Sequence, residues 1–205
     1  MHHANDPLDL KAGLAEIGLA LRRPEELATR WRDRAATGAA APPATVFPLL
    51  VASAFLGLAA YGLTMGMGGG ALGMLGHAVR APLACGAAWT IALPALYIIN
   101  TVLGSRLDAS TTTLAALATV SFGALAMLAG VPIAWFFAVA LPFAPVRIGV
   151  NLLCFAGVGV CMIDVFLRVM KALEPDRSRF FALLWLGLVA VIGGELMLLL
   201  HVFDF

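Results

Sequence analysis

Two acidic side chains, Asp164 and Glu195, lie inside long apolar stretches of this sequence, where charged residues are otherwise scarce. A carboxylate in such surroundings is costly, by about 2.5–3.5 kcal/mol on membrane-insertion scales, so each is a candidate for proton or cation chemistry. Two carboxylates close together could also share a metal ion or act as a paired acid and base. Which of these is possible depends on the elements that position them.

Apolar residues dominate the chain after residue 45. The first 45 residues carry 12 of the 25 charged side chains, and the remaining 160 carry 13. Hydrophobic residues form 61% of the sequence and charged ones 12%, against about 45–50% and about 25% in a soluble domain. Five runs approach the roughly 20 residues that a helix needs to cross a bilayer. The sequence therefore predicts an all-α, polytopic transmembrane helical bundle over 46–205, with spans at about 46–67, 82–103, 112–140, 148–170 and 180–203.

Residues 1–45 are predicted to form two short cytoplasmic amphipathic helices and a linker. Asp6-Pro7 favours the start of the first helix and Pro24 the start of the second. The apolar stripe of the first helix consists of Leu10, Leu14, Ile17 and Leu21. Two placements are open: in the headgroup layer of an anionic leaflet, or packed against the underside of the bundle. The residues expected at the membrane surface are Arg22, Arg23, Arg30, Trp31, Arg32 and Arg34.

The distribution of Lys and Arg predicts the orientation of the spans. With a cytoplasmic N-terminus and five crossings, 11 of the 13 basic residues lie inside and only Arg80 and Arg147 lie outside, as does the C-terminus. The chain does not begin with a basic and then apolar leader, so the first span is expected to act as its own insertion signal. The high Ala, Gly and Arg content is typical of a GC-rich bacterial genome and favours a bacterial inner membrane.

Two segments complicate the count of spans. The third predicted span contains Pro132, which removes one backbone hydrogen bond from a helix. The segment 132–145 is too short to cross a bilayer alone, so a long, tilted or kinked third helix is predicted, with a re-entrant 132–145 segment as the alternative. The Gly-rich stretch 66–76 is predicted to be a flexible turn and a short interfacial helix.

Depth along the predicted spans separates the two acids. Asp164 lies roughly 24 Å from the outer edge of the fourth span, and Glu195 about 22 Å above the inner edge of the fifth. They are therefore expected to lie too far apart to share a metal ion or a proton. Arg168, one turn beyond Asp164, is expected to pair with it, and Asn100 at similar depth could complete a hydrogen-bonded cluster.

Glu195 has no cation within one turn of its own helix. Gly193-Gly194 precede it and would let another helix approach closely. Arg147 and Asn151, at the outer end of the fourth span, are the expected partners. The sequence thus predicts a structural Arg147–Asn151–Glu195 clamp, with a proton- or cation-linked site or an intermolecular contact as alternatives.

Histidine spacing gives no support for a catalytic metal ion. His77 and His201 lack an HxxxH or HExxH spacing, so neither a metal nor a cofactor is predicted. Residues 25–30 fit the EExxxR pattern of CAAX-type proteases, but they precede the first span and no mid-span His accompanies them. The net charge of +1 argues against a nucleic-acid partner. We expect a non-enzymatic chain whose partners are the lipid bilayer and other membrane proteins or a second copy of itself.

A short cytoplasmic segment containing Arg23-Pro24, followed by five spans with almost no loops, resembles the Yip1-type membrane family. The resemblance covers the whole architecture, whereas the family's eukaryotic Asp-Leu-Tyr-Gly-Pro-Leu motif is absent, so no site residues carry over. It implies a non-catalytic helical bundle that acts as a scaffold or accessory subunit, binding other membrane proteins or shaping membranes. The alternative from the residues themselves is a small transporter or ion-coupled subunit that uses Glu195 with Arg147.

Overall fold

The computed structural model describes residues 10–37, 46–102, 104–105, 107–141, 143–176 and 178–203, and the elements in these ranges are helices. Two short N-terminal helices are followed by five long ones, and a 3₁₀ turn at Gly66–Gly69 joins the first two long helices. The helices are α1 (Leu10–Arg22), α2 (Pro24–Ala36), α3 (Val46–Met65), α4 (Gly70–Val102), α5 (Ala109–Ala140), α6 (Ala144–Leu173) and α7 (Arg179–Leu199). The predicted all-helical class and the break between the two N-terminal helices are confirmed.

Four stretches of the described chain are long and apolar enough to cross a membrane, which indicates a membrane location. The first is 57 residues long and contains both α3 and α4, which fold back on each other at the 3₁₀ turn. The stretches are 46–102, 109–140, 144–173 and 179–199.

The Gly-rich segment between α3 and α4 is more helical than predicted. Only Gly66–Gly69 forms the turn, and α4 begins at Gly70, whose φ of +65° suits glycine. The predicted turn is present, whereas the helix that follows it is not short, because α4 runs for 33 residues from Gly70. Close packing of the two helices continues up to the turn, where Gly66 lies against the carbonyl group of Gly73.

Glycines on α3 allow its backbone to touch two neighbouring helices. A methyl group at Gly57 would collide with the carbonyl oxygen of Ala124 on α5, and one at Gly62 with the carbonyl oxygen of His77 on α4. Small residues at such positions permit close helix association in a membrane, where no hydrophobic force drives helices together. The pairing of α3 with α4 and α5 therefore depends on glycine.

Replacing Gly57 with alanine is expected to lower the free energy of unfolding by about 1–3 kcal/mol, because the added methyl group meets backbone that cannot rotate away. Gly86→Ala is the matched control, since no atom lies within 4 Å of a Cβ built there. Thermal unfolding in detergent measures the melting temperatures of both variants. Equal melting temperatures for the two variants would contradict this account of the α3–α5 contact.

α5 is one continuous helix with Pro132 inside it, and α6 begins at Ala144. The prediction of a long third helix is confirmed, and the re-entrant alternative is wrong because residues 132–140 continue α5. The helix begins slightly earlier than predicted because Asp108 caps it, with its Oδ1 accepting a hydrogen bond from the N–H of Thr111.

The long helices are unequally buried. In α5, 56% of the most apolar stretch is buried inside the protein. The hydroxyl group of Ser121 on α5 also donates a hydrogen bond to the carbonyl oxygen of Leu50 on α3 at 2.8 Å. In α6 and α7 the buried share is only 17%. α5 is therefore the centre of the bundle, and α6 and α7 present most of their surface outward.

Candidate functional site

The N-terminal helices pack against one end of the bundle. Trp31 is 3% exposed and lies among Val46, Leu50 and Leu114 of α3 and α5. Its indole N–H donates to Oε2 of Glu16 at 3.3 Å. Because the apolar face of α2 covers protein, the structure favours packing on the bundle over the headgroup-layer placement.

The apolar face of α1 differs from the predicted stripe. Leu14 is 58% exposed, whereas Ala20 is buried and Ile17 packs beside it. The buried face of α1 therefore includes Ala20 and Ile17, and Leu14 lies outside it. The side chains of Leu10 and Leu21, and the predicted start at Asp6-Pro7, lie outside the described residues.

The six residues predicted at the membrane surface divide into two groups. The exposed group is Arg22, Arg23 and Arg30. The other three contact the rest of the chain: Trp31 is buried, Arg34 lies 2.9 Å from Glu16, and Arg32 reaches α6. Within the first group Arg23 pairs with Glu26 at 2.9 Å, so Arg22 and Arg30 are the members most available to an anionic surface.

Arg32 caps a helix far away in the sequence. Its Nη1 donates to the carbonyl oxygens of Ala172 at 3.1 Å and Leu173 at 3.4 Å, at the C-terminus of α6. The last carbonyl groups of a helix lack donors within the helix, and a cation stabilises its negative end. This contact, across 140 residues, fastens α2 to the bundle, and local spacing could not have indicated it.

The predicted pair of Asp164 and Arg168 is formed, with Oδ2 and Nε 3.0 Å apart. Arg168 also lies 3.8 Å from Oε2 of Glu25 on α2, which the sequence did not indicate. The expected contribution of Asn100 is absent, because Asn100 is buried between the ends of α4, α6 and α7 and its Nδ2 has no hydrogen-bond partner among the described residues. The polar cluster therefore joins α6 to α2.

Arg147 and Asn151 are brought together near the start of α6. Asn151 donates from Nδ2 to the carbonyl oxygen of Arg147 at 2.9 Å, and its Oδ1 accepts from the hydroxyl of Tyr61 at 2.8 Å. The guanidinium group of Arg147 lies against Gly68 in the 3₁₀ turn, where a Cβ would overlap it. These residues thus connect α6 to the α3–α4 hairpin.

Glu195 does not join this cluster, so the predicted three-residue clamp is wrong in its third member. The side chain is exposed, and it makes no ion pair or hydrogen bond within the part of the chain that the structure describes. The reason is the rotation of α7, which places Gly193 against Ala88 of α4. Glu195 is two residues further on, about 200° around the helix, and is directed outward.

The junction of α4, α6 and α7 contains an aromatic cluster that the sequence did not indicate. The Trp185 ring stacks on Phe166 with centroids 5.0 Å apart and meets Trp89 edge to face at 5.2 Å. Its indole N–H donates to the carbonyl oxygen of Ala92 at 2.9 Å. Tryptophan in an apolar span is equally typical of an interfacial belt, so the residue type alone could not place this cluster.

An apolar groove of about 240 Å³ lies between α3, α4 and α5. Its two threonine hydroxyl groups donate their protons within the protein, Thr90 to the carbonyl oxygen of Gly86 at 2.7 Å and Thr113 to that of Ala109 at 2.8 Å. The threonine hydroxyls therefore offer a ligand acceptor oxygens and no donor. Within the described ranges, no group of three or more His, Cys, Asp or Glu side chains could hold a metal ion.

The polar residues predicted within the spans thus form two clusters that tie helices together, Asp164 with Arg168 and Arg147 with Asn151, whereas Glu195 and Asn100 belong to neither. Comparison with other proteins adds no template for these contacts. No protein-family model matches the chain, and neither does any curated protein or solved structure.

Proposed function

We propose that this chain is a non-catalytic integral membrane protein that acts as a scaffold or accessory subunit, through helix–helix and membrane-surface contacts. In this proposal α3 and α4 each cross the bilayer, giving five spans with a cytoplasmic N-terminus and an outer C-terminus in a bacterial inner membrane. The distribution of basic residues, with only Arg80 and Arg147 of 13 on the outer side, supports the orientation. The Yip1-type resemblance implies the same class of function.

The exposed carboxylate of Glu195 is the observation that carries the proposal. On the lipid-facing side of a span this group would be destabilising by about 2.5–3.5 kcal/mol. Gly187 and Gly194 leave open space on the same helix, since nothing lies within 4 Å of a Cβ at either position. A helix from another membrane protein or a second copy could approach α7 there and provide a hydrogen-bond donor to Glu195.

The runner-up function, an ion-coupled transporter, requires Glu195 to work with Arg147. Those two residues make no hydrogen bond or ion pair with each other in the described chain: Arg147 lies against Gly68, and Glu195 is exposed. This lack of contact is why we rank the scaffold function first.

Glu195→Gln tests the proposal. The variant is expected to insert and to melt like the parent protein, because Glu195 has no partner within the described chain. Its association with a membrane partner or a second copy should weaken by about tenfold, as expected for loss of one hydrogen bond to a charged group. Cross-linking in native membranes, followed by purification in mild detergent, measures that association. Asp164→Asn is the matched control, since Asp164 is also exposed on a long helix but is paired with Arg168.

Flux measurements in liposomes distinguish the two functions. The reconstituted protein is expected to carry no current under a pH gradient. The contrary result is a pH-dependent flux in the parent protein that is lost in a correctly assembled Glu195→Gln variant. That result would establish the transporter function in place of the scaffold function. If Glu195→Gln associates as strongly as the parent protein, Glu195 takes no part in the proposed contact.

A further inference from the structure

A small polar pocket lies where the ends of α4, α6 and α7 meet. It has a volume of about 20 Å³, enough for one oxygen-sized group. Asn100, Lys171, Glu174, Ser178 and Arg179 are among the residues that line it. In the orientation proposed above, this pocket opens at the cytoplasmic surface of the membrane.

Asn100 is the residue that makes this pocket unusual. The residue is only 5% exposed, yet its Nδ2 makes no hydrogen bond among the described residues. A buried donor left without an acceptor destabilises a fold by roughly 1–3 kcal/mol. Buried polar groups are nearly always satisfied, so the Nδ2 group requires an acceptor from outside the described chain.

The surroundings of Asn100 favour an acceptor that carries negative charge. Lys171 and Arg179 are exposed at the pocket and form no ion pair within the described ranges. The pocket also includes the N-terminus of the 21-residue helix α7, which Ser178 caps. Such a terminus carries about half a positive charge and presents backbone N–H groups to anions.

One carboxylate opposes these positive charges. Glu174 lines the same pocket, and its Oε1 accepts a hydrogen bond from the Ser105 hydroxyl at 2.7 Å. Lys171 and Arg179, together with the helix terminus, outweigh this single negative charge. The pocket remains net positive, with a neutral donor at its base.

We propose that this pocket binds the phosphate group of an anionic ligand, with one phosphate oxygen accepting a hydrogen bond from Asn100 Nδ2. The volume of about 20 Å³ suits that oxygen, and the rest of the group would lie at the mouth, within reach of Lys171 and Arg179. An anionic lipid fits this position, because the pocket adjoins the ends of three apolar helices and Phe180 beside it is 64% exposed. The inference does not depend on the scaffold function.

Lipid selectivity of the full-length protein in nanodiscs tests the proposal. The probe is spin-labelled phosphatidylglycerol, compared with spin-labelled phosphatidylcholine in a phosphatidylcholine bilayer. The protein is expected to retain phosphatidylglycerol preferentially, and Asn100→Leu or the Lys171→Gln/Arg179→Gln double variant should reduce that affinity by about tenfold. Arg80→Gln is the control for loss of one positive charge, compared with the Lys171→Gln and Arg179→Gln single variants, because Arg80 is exposed on α4 and does not line the pocket.

Inorganic phosphate provides the second arm of the experiment. One outcome is that millimolar phosphate binds the parent protein and not Asn100→Leu, while the protein retains phosphatidylglycerol no better than phosphatidylcholine. In that case the site binds a soluble phosphate compound, and phosphate recognition by Asn100 is upheld. Asn100→Leu is expected to fold, because leucine has a similar volume and leaves no donor unsatisfied. The Gln double variant changes only exposed side chains, so it tests the site independently of folding. Unchanged binding of both probes in folded variants would overturn the proposal.

Discussion

Replacing Trp185 with alanine is expected to lower the free energy of unfolding by about 3–5 kcal/mol. Trp185 is 1% exposed and contacts both Phe166 and Trp89, so the change opens a cavity where α4, α6 and α7 meet. It also removes the hydrogen bond to the carbonyl oxygen of Ala92. α7 has few other buried residues, since only 17% of its apolar stretch is buried, so its docking should be lost first.

Thermal or SDS-induced unfolding in detergent measures this effect. Trp135→Ala is the matched control, because Trp135 is 53% exposed on α5. Trp185→Phe keeps an aromatic ring and loses the N–H donor, so its free energy of unfolding should lie between those of the alanine variant and the parent protein. A Trp185→Ala protein as stable as Trp135→Ala would contradict the packing of α7 described above.

Trp31→Ala is expected to release α1 and α2 from the bundle. Trp31 is the largest side chain in the cluster with Val46, Leu50 and Leu114, and burial of such a side chain is worth about 3–5 kcal/mol. Released helices should become sensitive to trypsin at Arg22 and Arg30. Limited proteolysis, followed by mass spectrometry of the fragments, measures the release.

Two controls separate release of the N-terminal helices from global unfolding. Leu14→Ala changes a 58% exposed side chain of α1 and should leave cleavage at the parent rate. Arg32→Ala should increase cleavage less than Trp31→Ala, because it removes the α6 cap and keeps the apolar cluster. Protection of Arg22 and Arg30 in the Trp31→Ala protein would show that α1 and α2 are held by other contacts.

Features that depend on neighbouring residues could be predicted from the sequence. Pro24 marks the start of α2. Asp164 and Arg168 are one turn apart, so their pairing follows from helix geometry alone. The continuity of α5 through Pro132 could be predicted because the segment 132–145 is too short to cross a bilayer by itself.

The rotation of each long helix about its axis could not be predicted in the same way. Apolar residues are spread almost evenly around α3, α4 and α5, so no face is marked for burial. Because no face of α3, α4 or α5 is marked, the sequence could not show where α6 and α7 dock on them, and so could not show that Glu195 faces outward or that Arg147 reaches Gly68. The pocket at Asn100 was missed for a related reason, since it combines the ends of three helices that are distant in sequence.

The cap that Arg32 places on α6 has a consequence for the order of synthesis. The carbonyl groups that it binds belong to residues about 140 positions later in the chain. At a synthesis rate of roughly 5–20 residues per second, they are made about 7–28 s after Arg32. α2 is therefore made well before the helix end that it caps, and the cap forms only after α6 has been synthesised. Trp31 is covered sooner than Arg32 finds its acceptors, because its partners Val46, Leu50 and Leu114 lie on α3 and α5, which are made before α6.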